Sequence, residues 1–185
     1  IFKAVAQLWA AYLDAGQRAA WEAFASIHPF INVFGDSIIL SGVAMFEAVN
    51  ARISMIGEPY IVNPPDAFSV EDLGGVTLVC TFAGGVLTLN VTPGRALLAH
   101  EKLFIYGTAP LAAGRAVQRA DLKLINLVDL EGYASGADVG PDLQERVPDV
   151  PFGVGDRLAV RVAAINDQTG AISVGITAEV VVAAP

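Results

Sequence analysis

The sequence predicts an α+β chain: a short N-terminal helical segment over residues 1–65, followed by an antiparallel β-sandwich over 66–185. Three observations carry this. Apolar residues recur at spacings of three and four up to about residue 56, the period of one helix face. After about residue 68 the period becomes two, that of a half-buried strand. Between them Pro64 and Pro65 block a helix and hold Asn63 extended, so the junction falls there. The later segments are short strands separated by turn signals, with no helical pattern after 65. That excludes βαβ units and favours a sandwich.

In the first part, Phe2, Val5, Trp9 and Tyr12 define one face of a helix over 2–13. Asp14 followed by Gln17 is a capping-box pair. It opens a second helix over 15–27, with Trp21, Phe24 and His28 on one face and Pro29 at its end. Residues 30–40 read as irregular around Gly35-Asp36. Ser41 caps a third helix whose apolar face is Val43, Phe46, Val49 or Asn50, Ile53 and Ile56, with Gly57 just past its end.

In the second part, Val76, Leu78, Cys80 and Phe82 alternate with more polar neighbours, as do Leu87, Leu89 and Val91, and Ala83-Gly84-Gly85 joins them as a hairpin. Further strands are expected over 102–107 and 122–128. Residues 131–156, rich in Gly, Pro and acidic groups, read as a long loop with one short edge strand. The strongest β pattern comes last. Leu158, Val160, Val162 and Ala164 lie on one side with Arg157 and Arg161 opposite; residues 166–170 form a hairpin loop; Ile172, Val174, Ile176, Ala178 and Val180 return facing inward.

Composition narrows the function. Hydrophobic residues make up 54% of the chain and charged residues only 16%. That is ample for a core, and it leaves a surface that must be covered by small polar and apolar groups or by neighbouring subunits. The net charge of −8 disfavours nucleic acid, which needs clustered cations. Residues 74–94 carry no charge and are long enough to span a membrane, but four Thr, an Asn and a central Gly84-Gly85 give them the alternation of two strands instead. No basic segment leads into an apolar run of signal-peptide type. The single cysteine, Cys80, permits no internal disulfide and reads as a small buried hydrophobe.

Motifs for chemistry are lacking. His28 and His100 have no cysteine or histidine at zinc-ligand spacing. Gly153-Val154-Gly155 is a turn before a strand, without the third glycine of a nucleotide-binding loop. Asp138, Asp142, Glu145 and Asp149 match no calcium loop and read as a solvated acidic stretch. The sequon Asn90-Val91-Thr92 falls within a strand. The expectation is therefore a protein that is not an enzyme, with no catalytic residue, cofactor or metal.

Aromatic residues are the most informative feature. Trp9, Tyr12, Trp21, Phe24, Phe30 and Phe34 are concentrated on or beside three short helices. Two readings stay open: the rings fill the chain's own core, or they anchor it to another subunit, a role large aromatics favour.

The stretch from Trp9 through Asp14, Gln17, Trp21 and Phe24 to Ala25 is similar to the opening of structural proteins encoded in bacteriophage and prophage genomes. So are Asn32 to Gly35, Leu40-Ser41-Gly42, Phe46 with Asn50, Gly57 and Pro64-Pro65. The likeness covers about 65 residues well. It implies a helical start joined to an immunoglobulin-like or fibronectin-III-like tail, and a virion structural protein assembled in the host cytoplasm. Its partners would be other virion proteins, capsid or tail subunits, in a multi-copy or homo-oligomeric assembly, with neither nucleic acid nor membrane involved. A capsid decoration (cement) role is favoured over a tail or head–tail position. A surface adhesion module that binds carbohydrate on its loops is the alternative from another class.

Overall fold

The computed structural model describes residues 2–31, 36–112, 114–129 and 137–185. It is α+β, with four α-helices and only antiparallel sheets among the described residues. The chain divides into two compact units: Ile1–Glu71 with Ile165–Val174, and Asp72–Ala164 with Gly175–Pro185. The junction read near residue 65 thus lies a few residues before the change of unit, and the hairpin loop 166–170 groups with the helices.

In the first unit, α1 (Phe2–Ala11) and α2 (Ala15–Ile27) both pack on α3 (Gly42–Met55). The α2 start is a complete capping box: Gln17 N–H donates to Asp14 Oδ1 at 2.8 Å and Asp14 N–H donates to Gln17 Oε1 at 3.0 Å. Ser41 caps α3 through Ala44 N–H, and the Gly42 N–H donates to the Glu22 carboxylate at 2.8 Å, tying α3 to α2. Residues 30–40, read as irregular, contain a two-residue antiparallel pair, β1 (Phe30–Ile31) and β2 (Ser37–Ile38).

The buried face of α3 is Met45, Phe46, Val49, Asn50 and Ile53. Asn50 is fully buried, and its amide serves as a strand-like partner for the returning chain. Its Nδ2 donates to the carbonyls of Phe46 and Ile61, and its Oδ1 accepts from Ile61 N–H at 2.8 Å. Arg52, also buried, donates to the Gly170 carbonyl and stacks 3.8 Å from the centre of the Phe30 ring. The hairpin loop is closed on itself by Asn166, whose Oδ1 accepts from Gln168 and Thr169 N–H.

Among the described residues the second unit holds seven strands. One sheet has the order β3 (Val76–Ala83), β4 (Val86–Pro93), β7 (Ala137–Asp138). The other has the order β6 (Lys123–Asp129), β5 (Glu101–Gly107), β8 (Arg157–Asn166), β9 (Ile176–Val181). Gly84 and Gly85, both at positive φ, make the two-residue turn between β3 and β4, which suits the twist of the flanking strands. β5 and β8 are buried along almost their whole length, on both faces.

Residues 131–136 of the stretch read as a long loop lie outside the described residues. The rest of that stretch is more ordered than expected, because α4 (Gly140–Arg146) forms there. It was not legible because seven residues cannot display a helical period: Leu143 is its one large buried side chain, and Val139 supplies no side-chain cap. Instead Pro141 sits in the first turn, where a missing N–H is harmless. Tertiary contacts hold the helix. It packs on β4 and β6. Gly140 passes so close to the Leu87 carbonyl that any side chain there would collide with backbone. Gln144 then satisfies the edge of β4, accepting from Leu87 N–H and donating to Gly85 O.

Replacing Asn50 with Ala removes three hydrogen bonds and strands the Ile61 N–H and C=O in a buried site. The expected loss is about 1–3 kcal/mol, measured by urea denaturation of the full chain. An unchanged midpoint would show that water reaches Ile61.

Candidate functional site

The six aromatic positions separate by surroundings. Trp21 has no exposed surface, and its indole N–H donates to the Val62 carbonyl at 2.9 Å. Its ring meets Phe24 and Phe46 edge-on at 5.5 and 5.4 Å. Phe24 is buried and carries the cluster onward to His28 at 4.4 Å and Phe68 at 5.2 Å. Phe30 is buried under the Arg52 guanidinium. Trp9 is half-buried against Phe46 at 5.5 Å. Tyr12 is different: 75% of it is exposed. Phe34 lies outside the described residues. Three of the rings are thus side chains of the unit's own core, and Tyr12 is the one held out to solvent.

Tyr12 has apolar company on the surface of this unit. Ile27 is 72% and Ile39 70% exposed. The outward positions of α1 and α2 are otherwise mostly alanine: Ala4, Ala10 and Ala11 on the first, Ala19, Ala20 and Ala23 on the second. Helix surfaces of this kind are normally covered by Lys, Glu and Arg. Sequence reasoning singled out the large rings and missed this alanine surface, whose signal was the scarcity of charge, Glu22 apart, at the outward helical positions.

Several ionisable groups are engaged structurally. Arg95 makes a two-pronged pair with the Glu101 carboxylate at 2.7 and 3.0 Å, and also donates to the carbonyls of Asp72 and Ala96. Burial pushes the Glu101 carboxyl up, but Arg95 and the Leu98 N–H outweigh this and hold it below its usual range. The pair staples the loop ahead of β5. Of the acidic stretch 138–149, Asp138 Oδ1 accepts from Leu89 and Gly140 N–H, and Asp142 accepts from Asn126. Among the described residues no group of three or more His, Cys, Asp or Glu side chains is placed to hold a metal ion. His28 belongs to the aromatic cluster, and His100 sits in a tight bend with φ 66°.

A small cavity of about 160 Å3 lies between Thr108, Leu111, Arg115, Asp121 and Lys123 in the second unit. Arg115 and Asp121 close on each other across its wall at 2.5 Å. That ion pair pins the segment between β5 and β6.

Burial, with the Asp138 carboxylate adding to it, pushes the Cys80 thiol up from 9.0 to about 11. Folding therefore favours the protonated thiol. This contribution is complete below about pH 9 and is lost as the pH rises through about 11. Urea titrations at about pH 8 and about pH 10.5 should show a loss of stability in the parent chain that Cys80→Ala lacks. For the aromatic cluster, Trp21→Ala should cost about 3–5 kcal/mol, whereas Tyr12→Ala should change stability by less than about 0.5 kcal/mol. Equal effects at the two sites would mean that Tyr12 is also core. No protein-family model, curated protein or solved structure matches this chain.

Proposed function

We propose that the chain is a non-enzymatic structural component of a bacteriophage virion, placed in the capsid as a decoration protein in preference to the tail or head–tail junction. The observation that carries this is the surface. Tyr12 just after α1, Ile27 at the end of α2 and Ile39 in the segment before α3 are large, apolar and at least 70% exposed, and the outward positions of α1 and α2 are largely alanine. Monomeric proteins seldom leave a contiguous apolar patch unpartnered. The N-terminal likeness to phage structural proteins supplies the kind of assembly.

We read the second unit as an immunoglobulin-like or fibronectin-III-like sandwich. In support, its first, second and fifth strands form one sheet, and the fourth, third, sixth and seventh form the other. A parallel bridge between Thr81 and Ala183 joins the first strand to the segment after the last. Strands one, two and five on one sheet and three, six and seven on the other follow the immunoglobulin division, in which the fourth strand instead joins the first sheet. A small rigid module of this kind suits repeated placement on a shell.

Quantitative mass spectrometry of purified particles, with cryo-EM of the same sample, tests the function. A decoration protein should be present in copies comparable to the major capsid protein. A far smaller copy number moves it to the tail. Its absence from particles overturns the virion reading.

A further inference from the structure

We propose that the cavity at the C-terminal end of β5 is a binding site for a short aliphatic monocarboxylate, seated with its carboxylate on Lys123 and Arg115. The site lies wholly within the second unit and does not depend on the virion reading.

Its walls are fixed before any ligand arrives. Residues 108–111, which follow β5, are laid along β8. The Thr108 N–H donates to the Ala159 carbonyl, the Ala159 N–H donates to Thr108 Oγ1 at 3.1 Å, and the Leu111 N–H donates to the Arg157 carbonyl at 2.8 Å. The other wall is the segment between β5 and β6. It is closed by the Arg115 N–H on the Ala112 carbonyl and by the Asp121 N–H on the Gln118 carbonyl, and the Arg157 guanidinium donates to the Arg115 carbonyl. Lys123, the first residue of β6, completes the lining. A site built in advance spares a ligand the cost of ordering it.

The charges around the cavity do not cancel. Both oxygens of Asp121 are taken: Oδ1 accepts from Arg115, and Oδ2 accepts from the Gln118 N–H at 3.0 Å. Arg115 has further N–H groups for a second acceptor. Lys123 is exposed, and its register partner is Gly107, which has no side chain to offer. Among the described residues the Lys123 ammonium has neither an ion-pair nor a hydrogen-bond partner. Two cations against one anion leave the lining a surplus of one positive charge, in a chain whose net charge is −8. Such a spot attracts anions that the rest of the surface repels. A surplus of one suits a monoanion, because Asp121 repels a second negative charge.

Size and lining define the rest of the ligand. The volume of about 160 Å3 is close to that of a void that takes benzene, roughly six non-hydrogen atoms, and well below pockets for drug-sized molecules. Ala109, Pro110, Leu111 and Ala120 make the apolar part of the lining. Bare phosphate would leave these side chains uncovered and would bring the extra charge against Asp121. A carboxylate on a short hydrocarbon chain, as in butyrate, matches both parts. The same chemistry is presented by a free acid or by an aliphatic C-terminal residue of another chain.

The test is a titration of the isotope-labelled full chain with butyrate at constant ionic strength, followed by its amide resonances. Parallel arms use butanol, inorganic phosphate, and a short neutral peptide ending in valine, with its carboxylate free or amidated. The expected result is saturable shifts confined to residues 108–111 and 115–123, with a dissociation constant on the order of 1 mM for butyrate. Butanol and phosphate should bind about tenfold more weakly or worse. Lys123→Gln should weaken butyrate about tenfold, and Lys123→Arg should restore it. Ala120→Leu, which adds bulk to the wall and leaves the charges, should weaken it as well. A free-acid peptide that outbinds both butyrate and its own amide identifies a chain end as the source; a peptide weaker than butyrate identifies a free acid. Shifts scattered over the surface, or reproduced by sodium chloride, overturn the proposal. So does butyrate binding that either Lys123→Gln or Ala120→Leu leaves intact.

Discussion

A buried amide that must find partners organises the helical unit. Asn50 lies on the core face of α3 with no exposed surface. Leaving its amide unpaired there would cost about 1–3 kcal/mol. Its partners are the Ile61 N–H and C=O, so the chain leaving α3 has to fold back along the helix. That return places the Val62 carbonyl within reach of the Trp21 indole, which in turn sets how Trp21 meets Phe24 and Phe46. A segment without regular structure is thereby held as firmly as a strand, by side chains instead of a ladder. Arg52, two residues further along α3, does the same for the loop 165–174 through Gly170.

The β unit solves the same accounting problem at its sheet edges. β4 is eight residues long, and its partner β7 covers two of them. The remaining outward N–H groups are met by Gln144 and Asp138, which is why a short helix with little propensity of its own has to sit where α4 does. The collision a Gly140 side chain would make with Leu87 shows how close that approach is. Along this edge of β4 the outward backbone groups of Leu87 and Leu89 are taken by the chain itself.

The outer surfaces of α1 and α2 are poor in charge: Ala4, Ala10, Ala11, Ala19, Ala20 and Ala23 are exposed there, with Glu22 among them. Charged side chains on a surface aid solubility and suppress casual association. Here the acidic groups are concentrated elsewhere, and many are spent on backbone N–H groups.

The sequence by itself determined what depends on neighbours close along the chain. Asp14 with Gln17 and Ser41 are caps within one turn of the groups they serve. The alternation around Cys80 and Leu89 identifies an inward row whatever lies opposite. The Gly84-Gly85 turn needs only its own dihedrals. Periodicity names the face that is apolar but not the surface that covers it, so it could not separate Trp21, which is core, from Tyr12, which is exposed. Both occupy apolar helical positions; the difference is which of them α3 and the returning segment happen to cover. Only tertiary structure decided that, as it decided that α4 forms at all and that residues 165–174 join the helical unit. In each case the stabilising partner lies tens of residues away — Leu87 for Gln144, Arg52 for Gly170 — and long-range contacts of that kind leave no local pattern to read.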